Sequence, residues 1–121
     1  MAQQGKLLHA GEVFLSDVTW CDGFLCKLAG LMLRRELRPG EGLLMAYNRP
    51  SRTNTTIHMF FMRFPIAVFW LDGDLHVVDK THADPWRPAY APAQPAQIVL
   101  ETFPEKLDVL SVGDALVFDP S

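Results

Sequence analysis

The sequence predicts a mainly β protein: a small antiparallel β-barrel or sandwich with one α-helix in its N-terminal half and a possible short second helix. Three observations predict it. Short apolar runs such as "GLLMAY", "IAVFWL" and "AQIVLETF" recur along the chain at strand length. Turn-forming clusters separate them, Asn48-Arg49-Pro50 and Asp72-Gly73 among them. Only one stretch carries its apolar residues at helical spacing.

The first strand is read in "GEVFLSDV", where Val13 and Leu15 alternate with Phe14 and Ser16. The helix follows. Phe24, Leu25, Leu28, Leu31 and Met32 share one helical face between Asp22 as a cap and Pro39-Gly40 as a stop. Gly30 within it costs about 1 kcal/mol relative to Ala, a sign that the helix backbone lies close against a neighbour. "GLLMAY" is a buried strand ending at Asn48-Arg49-Pro50. In "IHMFFMRFPIAVFWLD", Pro65 cannot donate to a ladder and pushes Phe64 into an extended form. It therefore divides a strand Ile57 to Met62 from a strand Ile66 to Leu71. Asp72-Gly73 then turns the chain back as "LHVVDK". Residues 81–96 hold four prolines and no period, an irregular loop of the length seen in lids and binding elements. "AQIVLETF" is a further strand, "PEKLDVLS" starts a short helix with Pro104 at its first position, and "VGDALVF" turns into the last strand.

With 121 residues, 49% of them apolar and 21% charged, the chain is expected to form one domain, residues 1–121, with a core of its own. Basic residues outnumber acidic ones in residues 1–71 and are outnumbered in residues 72–121, for a net charge of −3. Such a balance does not predict nucleic-acid binding, which calls for a basic face. Arg34, Arg35 and Arg38 are read as complementing the end of the helix. The opening "MAQQGKLLHAGEVFLSD" lacks a leader pattern, and the apolar run from Ile57 is interrupted by His58, Arg63 and Pro65. A soluble cytoplasmic protein without a membrane partner is expected.

Several chemistries are absent: no Gly-rich phosphate loop, no nucleophile elbow and no H-E-x-x-H. On a straight strand His58 and Met62 would lie roughly 13 Å apart, too far to share a metal. His76, Asp79 and His82 alternate faces. Neither a metal nor a cofactor is expected. Cys21 and Cys26 are not a CxxC pair, and on a helix starting near Asp22 their α-carbons would stand near or beyond the ~7 Å limit of a disulfide, so both are read as reduced thiols. Two polar groups stand out. His58 is either a site residue or a hydrogen-bonded core or rim histidine. Glu101 shares a strand face with Val99 and Phe103, where it is either a carboxylate with a perturbed pKa or an exposed group.

The segments "GLM" at Gly30, "EGLL" at Glu41, "IHMFFMRFPI" at Ile57, "FWLDGDLHVV" at Phe69, "VLE" at Val99 and "VGD" at Val112 resemble, in order and spacing, the domain of unknown function 192, also called uncharacterised protein family 0127. The resemblance runs from about Val18 to Phe118. It implies a small β-rich domain with a helix at the front, and it implies no activity. Three positions depart from the family's pattern: Ala67 stands where an aspartate is usual, Lys27 where arginine is usual, and Glu105 near a habitual glycine. Ala67 favours a binding or structural role over an enzyme.

The expectation is a non-enzymatic module that binds a small molecule or peptide, its pocket mouth formed by His58, Arg63, Trp86, Tyr90 and Glu101. One alternative is a hydrolase or lyase using His58 and Glu101 as base and acid. Another is a structural partner of a second protein, recognisable by an exposed apolar patch without a pocket. Arg63 shares the face of Ala67 if strand parity survives Pro65, so Ala67→Asp is expected to cost less than ~1 kcal/mol.

Overall fold

A β-hairpin opens the chain in the computed structural model, which describes residues 2–23, 26–27, 30–32 and 34–121. Strands β1 (Ala2–His9) and β2 (Glu12–Cys21) pair antiparallel, with His9 opposite Glu12. Ala10 and Gly11 both have positive φ, 52° and 81°. That left-handed pair matches the twist of the flanking strands. β1 was not expected, because Gly5, Lys6 and His9 blur its alternation.

β2 then pairs in parallel with β3 (Glu41–Ser51), Asp17 opposite Glu41 and Cys21 opposite Met45. A parallel pair needs a long crossover, and residues 22–40 supply it. This is where the sequence predicts its helix. Residues 24, 25, 28, 29 and 33 of that prediction lie outside the described residues. Elsewhere the segment shows two i→i−4 bonds, from the Lys27 amide to the Gly23 carbonyl (3.1 Å) and from the Gly30 amide to the Cys26 carbonyl (2.9 Å). Gly30 at φ +49° then takes the left-handed conformation that ends helical turns. Residues 34–38 are irregular, so the structure does not support a helix running to Pro39.

β4 (Ile66–Leu71), β5 (Val77–Ala83), β6 (Ala96–Thr102) and β7 (Leu116–Pro120) complete one seven-stranded sheet in the order β5-β4-β6-β3-β2-β1-β7. The β4–β5 hairpin stands where Asp72-Gly73 predicts it: the Asp74 and His76 amides donate to Asp72 Oδ1 at 2.9 and 3.0 Å. The short second helix is a single 3-10 turn, Pro104–Lys106. The sheet is mixed, not antiparallel, and it does not close. Its ends approach through an isolated bridge between His76 and Ala115, short of the ladder a barrel requires.

Both faces of the sheet are covered. Leu7, Leu15, Leu44, Phe69, Leu100 and Leu110 fill one core. Leu31, Met45, Met59, Val68, Trp70 and Val99 fill the other, beneath the crossover and the loops 52–65 and 84–95. Every residue of β4 is buried as a result. Ala67 lies in the first core, 0% exposed beside Phe69 and Leu71. Arg63 is exposed and precedes the strand. The expected pairing of Arg63 with position 67 is therefore overturned.

The predicted strand Ile57 to Met62 is not a strand. Ile57 and Met59 make a short antiparallel pairing with the proline-rich loop: Ile57 and Tyr90 exchange backbone bonds (both 2.9 Å), the Met59 amide donates to the Arg87 carbonyl (2.9 Å) and the Trp86 amide to the Met59 carbonyl (2.7 Å). The chain then turns, with Phe61 at φ 63° and the Met62 amide bonded to the Met59 carbonyl. Trp70 anchors the preceding stretch through its indole N–H, which donates to the Thr55 carbonyl at 2.7 Å. The cysteines also depart from expectation. Cys21 ends β2, and the turn after it brings the Cys26 α-carbon to 5.9 Å, within disulfide range, and the two are bonded.

Candidate functional site

The core that holds Leu31, Met45 and Met59 opens beside the crossover. The crossover, β3, the 52–65 loop and β6 meet around a pocket of about 80 Å3. Lys27, Gly30, Leu31 and Met32 form one wall, Met45 and Tyr47 the floor beside it, and Thr56, Ile57, His58 and Met62 the opposite rim. Glu101 faces this space from β6. Pairing of Glu101 with Leu43 on one side and Val68 on the other places it on an apolar stretch of sheet.

Glu101 is 6% exposed. Among the described residues no hydrogen bond or ion pair reaches its carboxyl, yet no side-chain polar atom is both sealed and unpartnered. Its oxygens therefore keep their opening through the pocket. A Cβ added at Gly30 would stand 3.8 Å from Glu101 Oε1, so the crossover backbone lies directly against the acid. Burial pushes its carboxyl from the ordinary 4.5 up to about 7. Burial likewise raises the Tyr47 hydroxyl, and the Glu101 charge raises it further. Lys27 Nζ lies 4.3 Å from the centre of the Tyr47 ring, a cation–π contact.

The five sequence-predicted residues divide. His58 and Glu101 line the same pocket. His58 is exposed, and its Nδ1 accepts the Phe60 amide at 3.2 Å, which leaves Nε2 as the donor of the neutral ring. Among the described residues no ion pair joins it to an acid. Arg63 and Trp86 lie together at a second, open depression with Phe61, Met62 and Pro85. Trp86 is 58% exposed, at φ 68°, with its ring 5.0 Å from that of Phe61. Tyr90 lines neither. Its hydroxyl accepts the Asp84 amide at 3.0 Å and its backbone holds Ile57, a role in loop structure.

Sequence reasoning missed Lys27, Met32, Met45, Tyr47 and Met62. Alternation in "GLLMAY" does put Met45 and Tyr47 on one face, but the pairing of β3 with β6 that brings them to Glu101 has no local signal. It also missed Glu41, whose carboxylate takes Arg34 Nη2 on both oxygens (2.8 and 2.9 Å) and the Arg38 amide (2.9 Å). Burial pushes the Glu41 carboxyl up, but these bonds outweigh it and hold it below the usual range. Arg34 and Arg38 thus brace the crossover onto β3 instead of ending a helix. Asp72, Asp74 and His76 form the one cluster of potential metal ligands among the described residues, their ligand atoms within 4.8 Å. Asp72 Oδ1 is already the acceptor of the β4–β5 turn.

No helix among the described residues is long and apolar enough to cross a membrane. The sheet closely matches two crystal structures of low identity, which show the fold alone. A candidate transcription regulator of Sinorhizobium meliloti superposes with a TM-score of 0.81 at 21% identity, over 98% of this chain and 94% of that one. A protein of unknown function from Novosphingobium aromaticivorans gives 0.80 at 20%, over 94% and 83%. In sequence, the chain is 36% identical to a UPF0127 protein of Thermococcus kodakarensis over 98% of its own length and 71% of the relative's. It is 34% identical to one of Pyrococcus furiosus over 88% and 90%. Residues 7–118 match the model of the DUF192 family, described as uncharacterized ACR, and the chain belongs to that family.

Proposed function

We propose that the protein is a small-ligand binding module whose site is the pocket around Glu101 and His58. The observation that carries this reading is Glu101 itself: a carboxyl 6% exposed that lines the pocket and has no hydrogen-bond or ion-pair partner among the described residues. An unpaired buried acid costs stability, and a ligand that satisfies it gives that cost a purpose. Apolar walls with a few converging polar groups are the usual make-up of such sites.

An NMR screen of the wild-type protein against small polar fragments tests it. Hits should shift His58, Tyr47 and Glu101 together, and hits that leave all three unmoved would sink the proposal. The enzyme alternative draws on the shared pocket of His58 and Glu101. It lacks a free basic nitrogen, because the Phe60 amide occupies Nδ1 and the neutral ring then carries its proton on Nε2. Exposed Phe60, Phe61 and Trp86 support the partner-protein alternative, although a pocket accompanies them. The cytoplasmic assignment stands against the Cys21–Cys26 bridge, since reducing compartments keep most thiols free. Counting thiols in freshly extracted protein decides that point.

A further inference from the structure

The pocket's polar groups are unequal in their partners. His58 Nδ1 accepts a backbone amide, and Lys27 has the Tyr47 ring beneath its ammonium at 4.3 Å. Glu101 has neither a hydrogen-bond donor nor an ion pair within bonding distance among the described residues. The titratable groups that face it are Lys27 from the crossover, Tyr47 from β3 and His58 from the 52–65 loop. Glu41, farther along β3, is engaged by Arg34 and Arg38, and Arg63 belongs to the other depression. β4 presents only Ile66, Val68 and Trp70 to this core. Around the acid stand three thioethers, Met32, Met45 and Met62, and the π face that already holds an ammonium. Polarizable sulfur, an aromatic face and an uncompensated carboxyl are together an environment for positive charge of low hydration.

Resting on the binding-pocket reading above, we infer that the ligand is a small organic cation, an ammonium or methylated ammonium group, with Glu101 as its counter-charge. About 80 Å3 admits a head group of roughly six heavy atoms at ~10–15 Å3 for each water-sized unit. Lys27 is then the internal competitor: its ammonium rests on the ring such a ligand would approach. The acid must ionise to pair, so binding releases a proton and strengthens as pH rises through 7.

The experiment titrates choline and methylammonium into labelled wild-type protein at pH 6 and pH 8, with 3,3-dimethylbutanol as the uncharged counterpart of choline and acetate as an anion. If only ionised Glu101 binds, affinity for the cations rises about tenfold between the two pH values. Glu101→Gln should abolish both that rise and most of the affinity, while Lys27→Gln should strengthen binding several-fold. Acetate binding that tightens at pH 6 and weakens in Lys27→Gln would overturn the inference and leave the pocket intact, with Glu101 acting as a neutral donor. Equal binding of choline and its uncharged counterpart would also overturn it, by showing a merely apolar site. If no probe shifts pocket residues in the folded protein, the cation falls, and an empty fragment screen takes the pocket with it.

Discussion

Glu101→Gln should make the protein more stable, and only above a certain pH. In the folded chain the carboxyl ionises near 7, in the unfolded chain near its ordinary 4.5. The folded state therefore holds a proton that the unfolded state has lost between those values, so stability falls as pH rises across the window. Below 4.5 both states are protonated and the burden is absent. Above 7 it is complete, about 3 kcal/mol at ~1.4 kcal/mol for each pH unit separating the two ionisations. Gln keeps the shape without the charge. Urea melts of wild type and Glu101→Gln should coincide within about 1 kcal/mol at pH 4.5, and the variant should gain on the order of 2–3 kcal/mol at pH 8. Taking the difference between the two proteins cancels the other titrating groups. A constant difference from pH 4.5 to pH 8 would refute the reasoning, because it would mean that the acid is solvated or already paired.

Three further outcomes follow from the packing. The double variant Cys21→Ser/Cys26→Ser should lose about 2 kcal/mol by loop entropy, and a thiol assay on the unfolded, unreduced wild type should find no free thiol; two would show that the bridge of the structure does not form. Ala67→Asp places a carboxylate among Phe69, Leu71 and Leu100, so it should cost several kcal/mol at pH 7 and less at pH 4.5 in urea melts; a cost below about 1 kcal/mol would restore the pairing withdrawn above. Trp70→Phe removes the indole bond to the Thr55 carbonyl and should cost about 2–4 kcal/mol, with faster hydrogen exchange in residues 52–56; unchanged exchange would mean that this loop is held by other contacts.

Strands announced by local chemistry were legible. β4 lies between Pro65 and Asp72-Gly73, and its boundaries are those read from the sequence. β6 needed only its apolar run. What escaped was pairing. Nothing in "EVFLSDV" says that its neighbour runs parallel, and the parallel pair is what turns residues 22–40 from a helix packed on a sheet into a crossover tied down at both ends. Helical spacing from Phe24 to Met32 predicts a helix that the described residues bear out by only two i→i−4 bonds, and the Glu41 carboxylate, by holding Arg34 and the Arg38 amide, fixes the second half of the segment in an irregular shape.

For the site, the decisive event is the loss of strand parity at Phe60 and Phe61. Alternation holds from Ile57 to Phe60, with Ile57 and Met59 buried and His58 and Phe60 exposed. An unbroken strand would next bury Phe61 and carry Met62 away from His58. Instead Phe61 adopts a positive φ that non-glycine residues rarely take, its ring goes outward onto Trp86, and Met62 folds inward. One reversed residue thus places Met62 and His58 on the same pocket and sends Arg63 to the Trp86 depression. The separation of roughly 13 Å that kept His58 from Met62 assumed a straight chain. Phe61 also meets Trp86 at a second residue of positive φ, so two strained positions hold this surface in shape. Phe61→Gly would relieve the strain while deleting the aromatic contact. Phe61→Asn keeps a side chain that tolerates positive φ, so comparing the two variants separates the conformational requirement of the turn from the packing of the ring on Trp86.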